Sequence, residues 1–261
     1  MLQAPESVSG GSIRPPSTRP EAGVRVELEG PVRKVILDRP SRKNAITPQM
    51  YEMLTSAFAE AAASDAVDVL LIASSGGAFS AGTDLSDFWD GTPTATDREA
   101  FAQAAAAFIG VLASFPKPIV AAVGGLALGM GATIVLHCDL VVAARTAAFE
   151  FSFARAAPEP EAGSSVLLAA SVGLQRASEW LLFGERIDAE TAFRAGLVSA
   201  VVPRAELMGS ALARAQAIAN LPQGMVRETK RRLRLSVPPA AVADESKRVG
   251  LCGEVGAGGG R

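Results

Sequence analysis

Three short apolar segments constrain the fold of this chain more than any other feature of its sequence. They span residues 67–73, 118–123 and 140–144, and each has the length and composition of a strand buried on both faces. Segments with helical character, residues 48–63 and 98–115, lie before and between them. Strands that alternate with helices predict an α/β core with parallel strand pairing.

Further elements are predicted on either side of these segments. Residues 24–28 and 32–37 have the pattern of two strands joined by a Glu-Gly turn. Thr47 followed by proline is typical of a helix N-terminus. A short helix that opens on glycines is expected over residues 129–136. From Ser164 onward the pattern is mostly helical, over residues 164–182, 189–195 and 206–220.

The two ends of the chain differ in composition from the rest. Residues 1–22 are rich in Pro, Ser and Gly and have no apolar period, so we expect a disordered extension there. Residues 251–261 are glycine-rich and are expected to form a flexible tail. Between them we predict a core over residues 23–200 and a helical portion over residues 201–250.

Composition argues against several classes of function. The 261 residues carry a formal net charge of −2, which gives no reason to expect a nucleic-acid or membrane-surface partner. No apolar run reaches the roughly 18 residues of a membrane span, and the N-terminus lacks the apolar core of a signal peptide. Cys138 and Cys252 are too few for a disulfide framework or a zinc site. By elimination we expect a cytoplasmic enzyme without a metal site.

The chain has one histidine, His137, which lies in an apolar run. A Ser-His-Asp triad or a histidine-based metal site would have to use it. We expect this side chain to be packed and hydrogen-bonded rather than catalytic. A serine hydrolase in which Ser80 or Ser152 meets His137 is therefore a minor alternative.

Two glycine-rich segments, residues 76–85 and 124–132, follow predicted strands. Loops that follow strands are where α/β proteins place ligands, and glycine lets the backbone approach a ligand closely. Two backbone amides that converge there would form an oxyanion hole, which stabilises an enolate or a tetrahedral oxyanion. The second segment is not a dinucleotide-binding motif, because the third glycine of G-x-G-x-x-G falls on Ile134.

The order and spacing of several motifs resemble the enoyl-CoA hydratase/isomerase, or crotonase, family over roughly residues 23–235. The motifs are Val35-Ile36-Leu37-Asp38-Arg39-Pro40, Lys43-Asn44-Ala45, Phe79-Ser80-Ala81-Gly82-Thr83-Asp84-Leu85, Leu128-Gly129-Met130-Gly131, Cys138-Asp139, Gly173, Ala195-Gly196-Leu197-Val198 and Val201. The resemblance implies an α/β fold with a crotonase-like ββα spiral core and a helical C-terminal portion that mediates trimerisation.

The resemblance also implies roles for individual residues. The backbone amides of Ala81 and Met130 match the two donors of the family's oxyanion hole. The residues expected to contact the acyl-CoA are Lys43, Ala45, Ala81, Gly82, Thr83, Asp84, Met130 and Lys230. Coenzyme A would enter as part of the substrate, with no permanently bound cofactor, and the protein would form a homotrimer or a dimer of trimers. After Leu251 the sequence lacks the pattern of the family's last helix.

The two glutamates that family hydratases use for proton transfer are replaced in this sequence. The matching positions fall on Thr133 and Phe153, which we expect to line the substrate site. Neither side chain titrates near neutral pH, as general acid–base catalysis requires. We therefore expect hydration by the usual mechanism to be inefficient.

A substitute carboxylate is available in residues 158–163, a Pro-Glu-Pro-Glu-Ala-Gly segment. Its prolines fix φ and prevent a helix, so the carboxylates are expected on a stiff turn. Glu161 matches a position where dienoyl-CoA isomerases and an aroyl-CoA dehalogenase of the family carry a functional aspartate. We predict Glu161 as the acid/base group, with Glu159 and Glu150 as weaker alternatives.

Two functions remain open on the sequence. The first is an acyl-CoA enzyme of fatty acid metabolism that stabilises a thioester enolate and uses Glu161 for proton transfer, in isomerisation or a specialised hydration. The second is a catalytically weak or inactive acyl-CoA-binding or scaffold protein, which the loss of both glutamates and of the last helix suggests.

Overall fold

The computed structural model describes residues 22–84, 94–156 and 160–235, together with Val242 and Glu245. The strands are β1 (Gly23–Glu29), β2 (Val32–Asp38), β3 (Val69–Ser74), β4 (Ile119–Val123), β5 (Leu126–Leu128), β6 (Leu140–Ala144), β7 (Ala148–Glu150), β8 (Ile187–Asp188) and β9 (Ala200–Val202). The α-helices are α1 (Pro48–Ala63), α2 (Ala95–Ala113), α3 (Met130–Leu136), α4 (Phe153–Ala156), α5 (Ser164–Val172), α6 (Leu174–Phe183), α7 (Ala189–Arg194), α8 (Leu207–Ala219) and α9 (Gln223–Arg234). Two 3-10 turns cover Pro40–Arg42 and Arg204–Glu206.

The larger sheet contains six strands in the order β1-β2-β3-β4-β6-β9. Strands β1 and β2 are antiparallel, and every other neighbouring pair in this sheet is parallel. Every residue of β4 is buried, as are all residues of β3 except Ser74. A parallel sheet is covered on both faces, which explains why these strands are continuous apolar runs in the sequence.

Helices cover the two faces of this sheet with separate apolar clusters. On one face, Leu70 and Ile72 pack in the same cluster as Tyr51 and Phe58 of α1. On the other face, the alternate β3 residues pack against α8 through Leu207, Ala211 and Ala215. The alternation of side chains along β3 therefore divides its residues between the two layers.

The smaller sheet has three strands in the order β5-β7-β8 and lies next to the loops that follow β3 and β4. Strand β5 begins directly after Gly124 and Gly125, which follow β4. It pairs in parallel with β7, with Leu126 opposite Ala148. An isolated bridge, Ser80↔Ala127, joins the segment that follows β3 to β5. The loops after β3 and β4 are thereby brought together at one edge of the small sheet.

The α/β fold class predicted from the sequence is confirmed, with local differences. The helix predicted over residues 164–182 is divided at Gly173, whose φ of 81° ends α5 before α6 begins. The short strands β5, β7, β8 and β9 have too few residues to give a sequence pattern. The proposed division of the chain into segments stays a prediction, since residues 1–21 and 246–261 lie outside the described residues.

Candidate active site

The segments 79–84 and 128–131 are in direct backbone contact. The amide of Leu128 donates to Ser80 O at 2.9 Å. A Cβ atom on Gly131 would lie 2.7 Å from Ser80 O, and one on Gly82 would lie 2.8 Å from Leu128 O. Both distances are shorter than any normal contact, so glycine at these two positions allows the turns to touch.

The backbone amides of segment 79–84 are all used except one. Among the described residues, the amide of Thr83 has no hydrogen-bond acceptor. The acceptors of the other amides are Leu126 O for Phe79 and Ser80, Lys43 O for Ala81, Ser80 Oγ for Gly82 and Ile46 O for Asp84. Because Thr83 is half-buried, its amide is the one in this turn that water or a ligand can use.

The prediction that the amide of Ala81 is a free donor is therefore wrong. That amide donates to Lys43 O at 2.9 Å. The chain turns at Lys43, whose φ is 52°, and this brings its carbonyl oxygen onto Ala81. The free amide of the same turn is that of Thr83.

The second turn supplies an amide at the start of α3. Met130 is the first residue of this helix, so its amide has no acceptor within the helix. Gly129 precedes it with φ 52° and ψ −120°, and the amide of Gly129 donates to Glu150 O at 3.0 Å. The Met130 side chain is buried in the core and is 1% exposed. The backbone of Met130 therefore faces the turns while its side chain packs away from them.

A buried asparagine holds the first turn in place. Asn44 Nδ2 donates to Ser75 O at 2.9 Å and to Ala78 O at 3.0 Å, and its Oδ1 accepts from Arg39 N at 2.8 Å. Its own carbonyl oxygen accepts from Ser80 Oγ at 2.8 Å. The family motif that contains Asn44 thus fastens the segments before and after β3 to each other.

A tyrosine from α1 reaches the same turn. The hydroxyl groups of Tyr51 and Thr83 are 2.8 Å apart. The ring of Tyr51 is fully buried and packs edge-on against Phe101, with their centroids 5.8 Å apart. Burial is the main cause that raises the pKa of Tyr51, and the nearby charge of Glu161 raises it further. The Glu161 charge therefore acts on Tyr51, whose hydroxyl is bonded to that of Thr83.

Glu161 lies on a tight turn that leads into α5. Ala162 and Gly163 follow it with φ of 55° and 78°, and the amide of Ser164 donates back to Glu161 O at 3.0 Å. The Glu161 side chain is half-buried. Burial, and secondly the charge of Glu245, raise the pKa of Glu161 from its ordinary 4.5 to about 7.

His137 is hydrogen-bonded to this turn. Its Nε2 is 2.8 Å from Ala162 O, and since a carbonyl oxygen only accepts, Nε2–H is the donor. Burial lowers the pKa of His137 to about 4, so the ring is neutral near pH 7. The expectation of a packed, hydrogen-bonded histidine is confirmed.

The sequence as a whole matches the family model described as Enoyl-CoA hydratase/isomerase over residues 27–254. The chain belongs to the enoyl-CoA hydratase/isomerase family. Enoyl-CoA delta isomerase 2 of Rattus norvegicus is 34% identical over 215 residues, which cover 81% of this chain and 54% of the relative. The chain thus spans about half the length of that relative.

Other members match over nearly their whole length. A Rhodobacter capsulatus protein described as "Probable enoyl-CoA hydratase" is 34% identical, with 88% of this chain and 90% of the relative covered. The crystal structure of an enoyl-CoA hydratase/isomerase from Pseudoalteromonas atlantica matches with a TM-score of 0.77 and 33% sequence identity. The match covers 88% of this chain and 89% of that chain. The crotonase-like fold expected from the sequence is confirmed.

The two positions where hydratases of the family are expected to carry glutamates are apolar or neutral in this chain. Thr133 is fully buried in α3, and its hydroxyl donates to Gly129 O at 3.1 Å. Phe153 begins α4 and is buried in the core cluster. Of the carboxylates that the sequence offered instead, Glu159 lies outside the described residues. Glu150 lies 3.5 Å from Arg186 at the end of β7, which leaves Glu161 as the carboxylate on the turn.

The prediction that Lys230 meets the nucleotide phosphates is wrong in this arrangement. Its Nζ donates to Lys117 O at 2.7 Å and to Asp139 Oδ2 at 2.8 Å, and it lies 5.6 Å from the centroid of the Phe115 ring. The side chain is 10% exposed. Lys230 thus attaches α9 to the segment just before β4 and to Asp139, which is a structural role.

The other predicted contact residues line the first turn. Lys43 is exposed at the tip of the αL turn, while Ala45 is half-buried and its carbonyl oxygen accepts from Arg39 Nη1 at 3.1 Å. The carboxylate of Asp84 forms an ion pair with the same Arg39 guanidinium. Asp84 therefore holds the turn, and Lys43 is the cation of this group that faces solvent.

The serine hydrolase alternative finds no support in these contacts. The hydroxyl of Ser80 donates to Asn44 O, whereas Nε2 of His137 donates to Ala162 O. Burial raises the pKa of the Cys138 thiol to about 12, so it is not a nucleophile near pH 7.

Across the part of the chain that the structure describes, no group of three or more His, Cys, Asp or Glu side chains could hold a metal ion. No described helix is long and apolar enough to cross a membrane.

Proposed function

We propose that the chain is an enoyl-CoA isomerase that moves a double bond within an acyl-CoA thioester. The amides of Thr83 and Met130 hold the thioester oxygen, and Glu161 carries a proton between two carbon atoms of the acyl chain. The observation that supports this most is the half-buried Glu161 carboxyl, whose pKa is raised to about 7 and whose charge acts on Tyr51, the hydrogen-bond partner of the Thr83 hydroxyl.

The reaction requires one base and one oxyanion site. Glu161 removes a proton from the carbon next to the thioester carbonyl, and the electron pair of that C–H bond delocalises into the carbonyl as a dienolate. The negative charge on oxygen is held by the two amides, which cost no reorganisation because the fold fixes them. Glu161 then returns the same proton two carbons further along, and the double bond becomes conjugated with the thioester.

A pKa near 7 suits both halves of this transfer. A base whose pKa lies close to the working pH is ionised often enough to accept the proton and acidic enough to return it. Hydration would also need a group to activate water from a second position. Thr133 and Phe153, at the positions where family hydratases are expected to have glutamates, cannot do this. The chain is 34% identical both to enoyl-CoA delta isomerase 2 and to a probable enoyl-CoA hydratase, so the site residues carry the choice of isomerisation.

The binding of the coenzyme A moiety is inferred from the first turn. Lys43 is exposed beside Ala45 and close to the segment that carries Thr83, so its ammonium is available for a phosphate. We further infer a homotrimer or dimer of trimers, and a cytoplasmic place in fatty acid metabolism, from the family to which the chain belongs.

Turnover of a 3-enoyl-CoA tests this function, followed by the ultraviolet absorbance of the conjugated product. Replacing Glu161 by glutamine should lower kcat by about 10²–10⁴-fold, because the proton carrier is lost. The matched control is Glu150→Gln, whose carboxylate faces Arg186 and should be dispensable.

Three outcomes separate the alternatives. Undiminished isomerisation in Glu161→Gln would exclude Glu161 from the reaction. Formation of a 3-hydroxyacyl-CoA from a 2-enoyl-CoA at a comparable rate would favour a hydratase. Tight calorimetric binding of acyl-CoA without turnover of either substrate would favour a binding or scaffold protein.

A further inference from the structure

A second carboxylate, that of Glu245, lies at the start of α5. The Ser165 hydroxyl donates to Glu245 Oε1, and the Ser164 hydroxyl is 3.5 Å from Glu245 Oε2. Ser164 is fully buried. An anion at the N-terminus of this nine-residue helix is also stabilised by the helix dipole. Two hydroxyls therefore hold the Glu245 carboxylate at the N-terminus of α5.

The same serines belong to the turn that carries Glu161. The amide of Ser164 donates to Glu161 O, and its hydroxyl contacts Glu245. Ser164 therefore connects the two glutamates. Gly163 contacts Val242 so closely that a Cβ on it would lie 2.7 Å from Val242 Cγ2. Val242 and Glu245 are three positions apart and both touch this turn, although they are about 80 positions further along the chain.

We propose that Glu245 is a positioning residue for Glu161, anchored by Ser164 and Ser165, which places a second negative charge beside the base and attaches the C-terminal segment to the turn. The proposal rests on the isomerase function for its catalytic meaning. Its electrostatic part stands on these contacts alone.

The charge of Glu245 should change the protonation of Glu161. Burial, and secondly the charge of Glu245, raise the pKa of Glu161, as expected for a carboxyl beside a like charge. Two other titratable groups of the described residues lie near this turn, Tyr51 from α1 and His137 directly after α3, and both are neutral near pH 7.

The test is the pH profile of kcat/KM in Glu245→Gln. In the wild type kcat/KM should rise through the pKa of Glu161 to a plateau at higher pH, because the base must be ionised. Without the like charge this rise should move to lower pH by about 0.5–1 pH unit. An exposed carboxylate on α2 gives the matched control, and Glu99→Gln should leave the profile in place.

A second variant, Ser165→Ala, distinguishes the charge of Glu245 from the hydrogen bond that holds its carboxylate in place. Ser165→Ala keeps the carboxylate of Glu245 but removes its closest donor. The freed Glu245 side chain should move the profile in the same direction as Glu245→Gln, by a smaller amount. A structural defect would instead lower kcat at every pH without moving the profile.

Direct titration makes the result independent of enzyme activity. The 13C resonance of the Glu161 carboxyl, assigned by its absence in Glu161→Gln, should titrate at lower pH in Glu245→Gln than in the wild type. An unchanged Glu161 titration in folded Glu245→Gln overturns the proposal, whether or not the protein turns over an enoyl-CoA. A shifted titration in a protein without isomerase activity would retain the Glu245 proposal and remove the isomerase function.

Discussion

The two halves of the site are built in different ways. The oxyanion half, made of segments 79–84 and 128–131, is held mainly by backbone hydrogen bonds and by glycine contacts. The half that carries Glu161 is held by side chains from distant parts of the chain, namely His137 below it and Val242 and Glu245 from the C-terminal segment.

This difference explains where substitution is tolerated. Every residue except proline has a backbone amide, so Met130 can serve the oxyanion half while its side chain packs in the core. In the other half the proposed carboxylate is that of Glu161, while Thr133 and Phe153 occupy the positions where family hydratases are expected to carry glutamates. We expect the oxyanion half to depend on the few side chains that fix its backbone, and the Glu161 half to depend on charge.

The largest effect should come from removing a buried side chain that holds the turns of the oxyanion half. In Asn44→Ala the Arg39 amide and the Ser75 carbonyl lose their side-chain partner, at a cost of about 1–3 kcal/mol each when buried, while Ala78 O keeps only the Ser74 hydroxyl. Alanine also tolerates the φ of 55° at this position less well than asparagine. We expect unfolding free energy to fall by about 3–5 kcal/mol, with turnover lost as the turns separate.

Urea denaturation of the variant and of Asn220→Ala measures this effect. Asn220 is exposed at the end of α8, so its replacement removes the same side chain without burying an unpaired group. A stability for Asn44→Ala within about 1 kcal/mol of the wild type would contradict the account of the oxyanion half.

The sequence predicted the elements of the oxyanion half well, because its strands are continuous apolar runs and its turns are marked by glycine. It did not predict which amide is free. Ala81 is paired with Lys43 O across 38 residues, and no local pattern reports that bond. Lys230 failed for the same reason, since its partner Asp139 is 91 residues away. Glu161 was predicted from its match to a functional position of family members and from the prolines before it, but the serine contacts that hold Glu245 beside its turn depend on the tertiary fold.

The next effect concerns the Glu161 half and depends on pH. His137 is neutral when folded, with a pKa of about 4 against an ordinary 6.5, so only the unfolded chain binds its proton between these values. Stability from this residue is therefore present above pH 6.5 and is lost as pH falls toward 4, by about 3 kcal/mol in total. His137→Gln retains a donor for Ala162 O but does not titrate. Its stability should fall less over this range.

The comparison is clean because the chain has one histidine. The carboxylates are the same in both proteins, so their contributions cancel in the difference. Glu161 is one of them: its raised pKa removes stability as pH rises from 4.5 to 7, whereas the histidine removes stability as pH falls. The difference in unfolding free energy between wild type and His137→Gln, measured from pH 4 to 7, isolates the histidine. Parallel curves would contradict the lowered pKa, because they would mean that His137 titrates alike in the folded and unfolded protein.

The smallest effect lies between the two halves, at the hydrogen bond that joins Tyr51 to Thr83. Removing one hydroxyl by Tyr51→Phe, or the other by Thr83→Val, should cost about 1 kcal/mol each. The double variant should cost less than the sum of the singles, because the two hydroxyls bond to each other at 2.8 Å. If Thr83 provides the oxyanion amide, the same cycle applied to kcat should show coupling while KM changes little. Additive losses in kcat would mean that Tyr51 stabilises α1 and α2 without positioning the Thr83 amide.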